Sequence, residues 1–161
     1  MMTYSAPAGT SVGHVHLKVA DLDRAIGFYS GLLGFSVTQR YGDQAVFLSA
    51  GGYHHHIGLN TWESKGGTAP ARGHTGLYHS AFLYPDRKSL ARVFKQLVDA
   101  NYPIDGAADH GVSEAIYLSD PDGNGVELYR DRAEADWPRD VGGNLAMVNN
   151  RLDLKALLAE A

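Results

Sequence analysis

Residues 13–35 read GHVHLKVADLDRAIGFYSGLLGF, and the order of residues in this stretch decides the fold. Val15, Leu17 and Val19 alternate with His14, His16 and Lys18, which is the two-residue period of a strand with one packed face and one free face. Asp21 then offers a helix N-cap, Leu22, Ile26, Tyr29 and Leu33 recur at helical spacing, and Gly34 ends the helix. The helix is expected to cover the apolar side of a strand over residues 12–19.

Downstream, short strands are expected at 35–40, 44–49 and 54–60, punctuated by Gly42 and by Gly51-Gly52. The unit is strand, helix, strand, strand, strand. Beyond a glycine-rich loop at 61–75 the order recurs: a strand at 77–84, the cap Asp86, and a helix carrying Leu90, Phe94 and Leu97. The step from His14 to His79 equals the step from Asp21 to Asp86, so the chain repeats itself in register. The second unit closes with strands near 102–105, at 113–119 and at 126–129, the last two joined by the turn Asp120-Pro121-Asp122-Gly123.

The expected fold class is therefore α+β, with two tandem βαβββ modules forming a curled mixed sheet, residues 12–60 and 77–130 of a single domain covering 1–161. Residues 131–161 read as a tail, too brief to fold alone, that docks or exchanges with a partner subunit.

Composition narrows the chemistry. The chain has 161 residues, 44% of them hydrophobic, and no cysteine, so disulfides, thiolate metal sites and cysteine nucleophiles are excluded and any strong metal ligand is His, Asp or Glu. A net charge of -4 without a basic stripe argues against nucleic acid as a partner. No apolar run approaches a bilayer span and the first residues lack a secretory pattern, so no membrane role and a cytoplasmic location are expected.

His14 and His79 open the two modules at equivalent places, and Glu127 lies on the last strand, facing away from Val126 and Leu128. Two imidazoles and one carboxylate on one face of a metal leave positions open for substrate and O₂, which suits Fe(II), with Mn(II) as an allowed substitute. Strand alternation through His54-His55-His56 would turn His54 and His56 into the cup, and His56 is the candidate there for function.

These residues resemble the vicinal oxygen chelate superfamily over about 12–130. The general pattern lies in the quoted 13–35 stretch and in YLSDPDGNGVELY at 117–129. More selective are HHI at 55–57, His79, and Tyr117 followed by Pro121, Gly123 and Glu127, which look like the pattern of the type I extradiol ring-cleaving dioxygenases. LYPDRKSLARVF at 83–94 and SEAIYLSDPDGNGVELYRDR at 113–132 are also similar to the amino-terminal half of bacterial catechol 2,3-dioxygenases.

The resemblance implies His14, His79 and Glu127 as iron ligands, His56 as the acid/base, Tyr117 as a donor to a bound catecholate, and His110 as a further histidine behind it. It implies a small aromatic substrate, O₂, and a homodimer or higher homo-oligomer. Many extradiol enzymes carry four such modules where this chain has two.

Two other activities share the fold: a glyoxalase-like lyase or isomerase, for which His56 stands where a Glu would be wanted, and a small-molecule-binding resistance protein, which would not need the metal triad.

Overall fold

The computed structural model describes residues 3–161. In the first half, β1 (Val15–Lys18), α1 (Leu22–Ile26), β2 (Ser36–Tyr41), β3 (Ala45–Ser49) and β4 (Ile57–Asn60) follow one another. In the second half come β5 (Ser80–Leu83), α2 (Arg87–Asp99), β6 (Gly106–Asp109), β7 (Ser113–Ser119) and β8 (Gly125–Asp131), then β9 (Asn150–Arg151) and α3 (Leu154–Leu158). The two βαβββ units expected from the repeat are both present. They form a four-stranded sheet in the order β1-β4-β3-β2 and a five-stranded sheet in the order β5-β8-β7-β6-β9.

Each unit sets its first strand parallel to its last, β1 with β4 and β5 with β8, while the remaining pairs are antiparallel. A helix must therefore cross the sheet between first and second strands, and its apolar side closes the core. Asp21 and Asp86 cap α1 and α2 through side-chain oxygens that accept from Arg24 N and Ser89 N.

The first helix is shorter than its apolar spacing predicts. It is α-helical only to Ile26 and continues as a π-helical turn over Gly27–Leu32. Two glycines weaken the regular helix here, and the wider turn lets the consecutive aromatic residues Phe28 and Tyr29 both enter the core. Tyr29 then reaches the second unit, where its hydroxyl donates to Asp120 Oδ2 at 2.9 Å. Arg24 pairs with Asp122 on the same turn at 2.6 Å. Leu17, Phe28, Tyr29, Leu48 and Ile57 share one apolar cluster with Leu90, Phe94, Leu97, Ile116 and Leu128, so both units bury a common core.

Two strand expectations shift. β6 is not at 102–105 but at Gly106–Asp109, because Tyr102 is used at the helix end, its N–H donating to Leu97 O and its hydroxyl to Ser119 O. Gly-Ala-Ala-Asp has little intrinsic strand preference; its pairing with Ile116 and Tyr117 imposes the conformation. β4 begins at Ile57 rather than at 54, which leaves His54–His56 in a bend.

The tail docks on its own chain. β9 adds to the edge of β6, and Leu152 and Leu157 are buried. Arg87 of α2 links Glu160 to Glu114, a carboxylate of β7 that is only 4% exposed and also accepts from Arg130 Nε at 2.8 Å. No helix among the described residues is long and apolar enough to cross a membrane.

Candidate active site

The parallel pairing of β5 with β8 sets Ala81 opposite Glu127, so His79, two residues before Ala81, shares a face with the carboxylate. Val126 and Leu128 point the other way into the core. His79 Nε2 lies 2.9 Å from Glu127 Oε2. Gly125 permits this approach, since a Cβ there would sit 2.2 Å from Tyr78 O and 3.1 Å from His79 Cβ.

Tyr117 is directly opposite Glu127 on the antiparallel neighbour β7, and its hydroxyl lies 3.4 Å from Glu127 Oε1. His110, in the turn between β6 and β7, brings Nε2 to 2.7 Å from the same hydroxyl. Burial first, and the nearby Glu127 charge second, push the Tyr117 phenol up to about 12, so it holds its proton. A cavity of about 420 Å³ opens beside this cluster, lined by Tyr78, His79, Asp105, Tyr117, Ser119 and Val126, within the size range of small-molecule sites.

Four of the six expected site residues therefore meet: His79, Glu127, Tyr117 and His110. The other two do not join them within the chain. His14 stacks on His55 with ring centroids 4.4 Å apart. His56 is tied to the end of β3, where Ser49 Oγ lies 3.1 Å from its Nδ1 and Ala50 N–H donates to the same nitrogen. His54 and His56 do not alternate as strand residues because that segment is bent; His54 Nδ1 instead contacts His55 Nδ1 at 2.7 Å.

Topology explains the separation. β1 ends one sheet and β5 ends the other, and no strand pairing connects them, so sheet hydrogen bonding does not draw the two module openings together. Nor can the first module form an equivalent pair by itself. His16 is paired with Gly58 where Ala81 is paired with Glu127, so a glycine occupies the carboxylate position. Among the described residues, no three His, Cys, Asp or Glu side chains gather as a metal centre.

The donor chemistry of the second module nevertheless suits a divalent ion in part. Two ligands about 2.1 Å from a common cation and at right angles stand about 3 Å apart, close to the His79–Glu127 separation. The Glu127 side chain is 13% exposed, and among the described residues its ion-pair partner is His79, with no Lys or Arg. One imidazole and one carboxylate thus fit as two donors, and the expected third is missing from this chain's own cluster.

A family model described as the glyoxalase/bleomycin resistance protein/dioxygenase superfamily matches residues 11–128. The chain belongs to that superfamily. It is 40% identical over 153 residues to a catechol-2,3-dioxygenase of Bacillus subtilis (strain 168), covering 94% of this chain and 52% of the relative. It is 33% identical over 123 residues to biphenyl-2,3-diol 1,2-dioxygenase 3 of Rhodococcus globerulus, covering 74% of this chain and 63% of the relative. The chain thus spans between about half and two thirds of the length of these superfamily relatives. Among solved structures, lactoylglutathione lyase from Agrobacterium tumefaciens superposes with a TM-score of 0.59 at 21% identity, covering 77% of this chain and 96% of that one, a likeness of superfamily fold.

One contributor escaped the sequence reading. Val148, in the tail, binds His110 on both sides of its peptide unit: its N–H donates to His110 O and its carbonyl lies 3.0 Å from His110 Nδ1. No motif marks such a residue, because it acts through its backbone.

Proposed function

We propose that this chain forms the metal-bearing unit of an Fe(II)-dependent extradiol dioxygenase acting on a catechol-like aromatic and O₂, with Mn(II) as a possible substitute. The observation that carries the reading is the His79–Glu127 pair, 2.9 Å apart, with the Tyr117 hydroxyl beside it and the cavity in front. Similarity to two ring-cleaving dioxygenases over 153 and 123 residues supports the substrate class.

In this reading His14, His79 and Glu127 are the ligands, and His14 comes from a second copy of the chain. The open edges of β1 and β5 are the surfaces that would meet. Val12, Leu77 and Tyr78, which precede those strands, are 86%, 65% and 89% exposed, a degree of apolar exposure that an interface would relieve. His56 would arrive with His14, because Val15 N–H bonds to His56 O and the two histidines lie at neighbouring strand starts.

His14, His79 and Glu127 would hold the ion, which would supply the Lewis acidity and redox chemistry that cleavage of a catechol by O₂ needs. The protein's own groups do the rest. His56 accepts and returns the proton of the second hydroxyl, the acid/base role open to an imidazole. The Tyr117 hydroxyl faces the substrate oxygens, His110 holds that hydroxyl from behind, and the cavity walls hold the ring.

The test is anaerobic purification, loading with Fe(II), and addition of catechols and air while oxygen uptake and a yellow ring-fission product are followed. No turnover across a panel of catechols by the metal-loaded protein would defeat the proposal.

A further inference from the structure

A line of polar contacts runs from the tail into the cavity: Val148 carbonyl, His110 imidazole and Tyr117 hydroxyl, with the Glu127 carboxylate facing the same hydroxyl. Its first link is unambiguous in direction. A carbonyl oxygen can only accept, so at 3.0 Å the proton between Val148 O and His110 must sit on Nδ1. A neutral imidazole has one N–H, so Nε2 is then a bare acceptor. The Tyr117 hydroxyl faces two acceptors, His110 Nε2 at 2.7 Å and Glu127 Oε1 at 3.4 Å. It has one proton to give, and the shorter contact takes it.

We propose that the carboxy-terminal segment, through the main chain of Val148, holds His110 as its Nδ1–H tautomer and thereby turns the Tyr117 proton away from the cavity. The phenol oxygen then presents lone pairs to the site, and Tyr117 is a hydrogen-bond acceptor there. His110 and the Val148 segment are positioning elements, since neither needs to touch the substrate.

The segment is built to hold this geometry. Val148 N–H donates to His110 O, and β9 pairs with β6 through Asp109–Asn150 and Ala108–Arg151, so the grip continues an antiparallel ladder. Gly111 follows His110 with φ +75°, and a Cβ there would lie 2.8 Å from Pro138 Cγ and 3.2 Å from Val148 Cγ2. The tail thus packs on the turn more closely than any other residue would allow.

The consequence for the ligand rests on the proposed function. A catechol bound against Tyr117 must bring a hydroxyl hydrogen to it, whereas a fully deprotonated catecholate would set oxygen against oxygen. The tautomer itself does not depend on that reading.

The experiment is long-range ¹H–¹⁵N correlation of the full-length protein labelled with ¹⁵N-histidine, without metal, at about pH 8.5, some two units above the ordinary imidazole value. The His110 signals are identified by their loss in His110→Gln. The expected pattern is a pyrrole-type Nδ1 and a pyridine-type Nε2. Tyr117→Phe should leave this pattern unchanged, because the tail sets it, while Gly111→Ala, which wedges the tail away, should shift His110 toward the Nε2–H form common in free side chains.

An Nε2–H pattern in the unaltered protein overturns the proposal, and so does a tautomer that switches in Tyr117→Phe. If Gly111→Ala does not fold, the other two spectra decide. Absence of catechol turnover would leave these spectra unaffected, so the two proposals fail separately.

Discussion

His79 Nε2 and Glu127 Oε2 stand 2.9 Å apart because parallel neighbours β5 and β8 put both side chains on the same face of the second sheet. If they are ligands of one ion, losing either should matter more than losing a group behind them, a change that costs about 10–100-fold in affinity. His79→Ala and Glu127→Ala should each weaken Fe(II) or Mn(II) binding by more than about 100-fold, while His56→Ala keeps the metal and loses turnover. Titration calorimetry and metal analysis read the result; full metal content in Glu127→Ala would remove it from the ligand set.

A site shared between copies makes a sharper prediction. His14→Ala and His79→Ala should each be inactive alone, yet mixing them under conditions that exchange subunits should restore activity, since a mixed pair retains one intact set of ligands. Light scattering of the mixture should report dimers. A monomer that binds metal through His14 and His79 together would contradict this arrangement.

Glu114 is a separate matter of stability. Its carboxylate is buried and accepts from Arg87 Nε and Arg130 Nε, each at 2.8 Å, joining α2, β7 and β8. Removing one member of a buried ionic network typically costs about 3–5 kcal/mol, because the remaining charges stay buried without a partner. Glu114→Ala should lower unfolding free energy by about 3 kcal/mol in urea titrations; a loss below about 1 kcal/mol would mean that the arginines reach solvent at little cost.

At high pH the tyrosines should control stability. Burial pushes Tyr84 up to about 12, and burial reinforced by Asp120 pushes Tyr29 higher still. The folded state thus prefers the neutral phenols, and the unfolded chain ionises first, near 10. The contribution of Tyr84 is complete below pH 10 and is lost between about 10 and 12. Denaturation midpoints should fall from about pH 10 upward, and Tyr84→Phe should flatten the decline. An unchanged slope would place Tyr84 in contact with water.

Much of this was legible in the residue order. Alternation at His14–Val19, the caps Asp21 and Asp86, and the equal spacing of the two halves give both βαβββ units. The same alternation puts Glu127 opposite to Val126 and Leu128, and the structure keeps it so. The reading missed the π-helical turn after Ile26 and the late starts of β4 and β6. For the helix and for β6, side chains far along the chain decide: Phe28 and Tyr29 seek a shared core, and Tyr102 bonds to Ser119 instead of entering the strand.

The local periods by themselves determined the strands, the helices and the face on which each polar residue lies, because those depend on neighbours two to four residues away. Which sheet edges meet depends on packing between units, and no period encodes it. Only the tertiary structure decided that His79, Glu127, Tyr117 and His110 gather while His14 and His56 sit just before strands of the other sheet, and that a backbone carbonyl from the tail reaches His110.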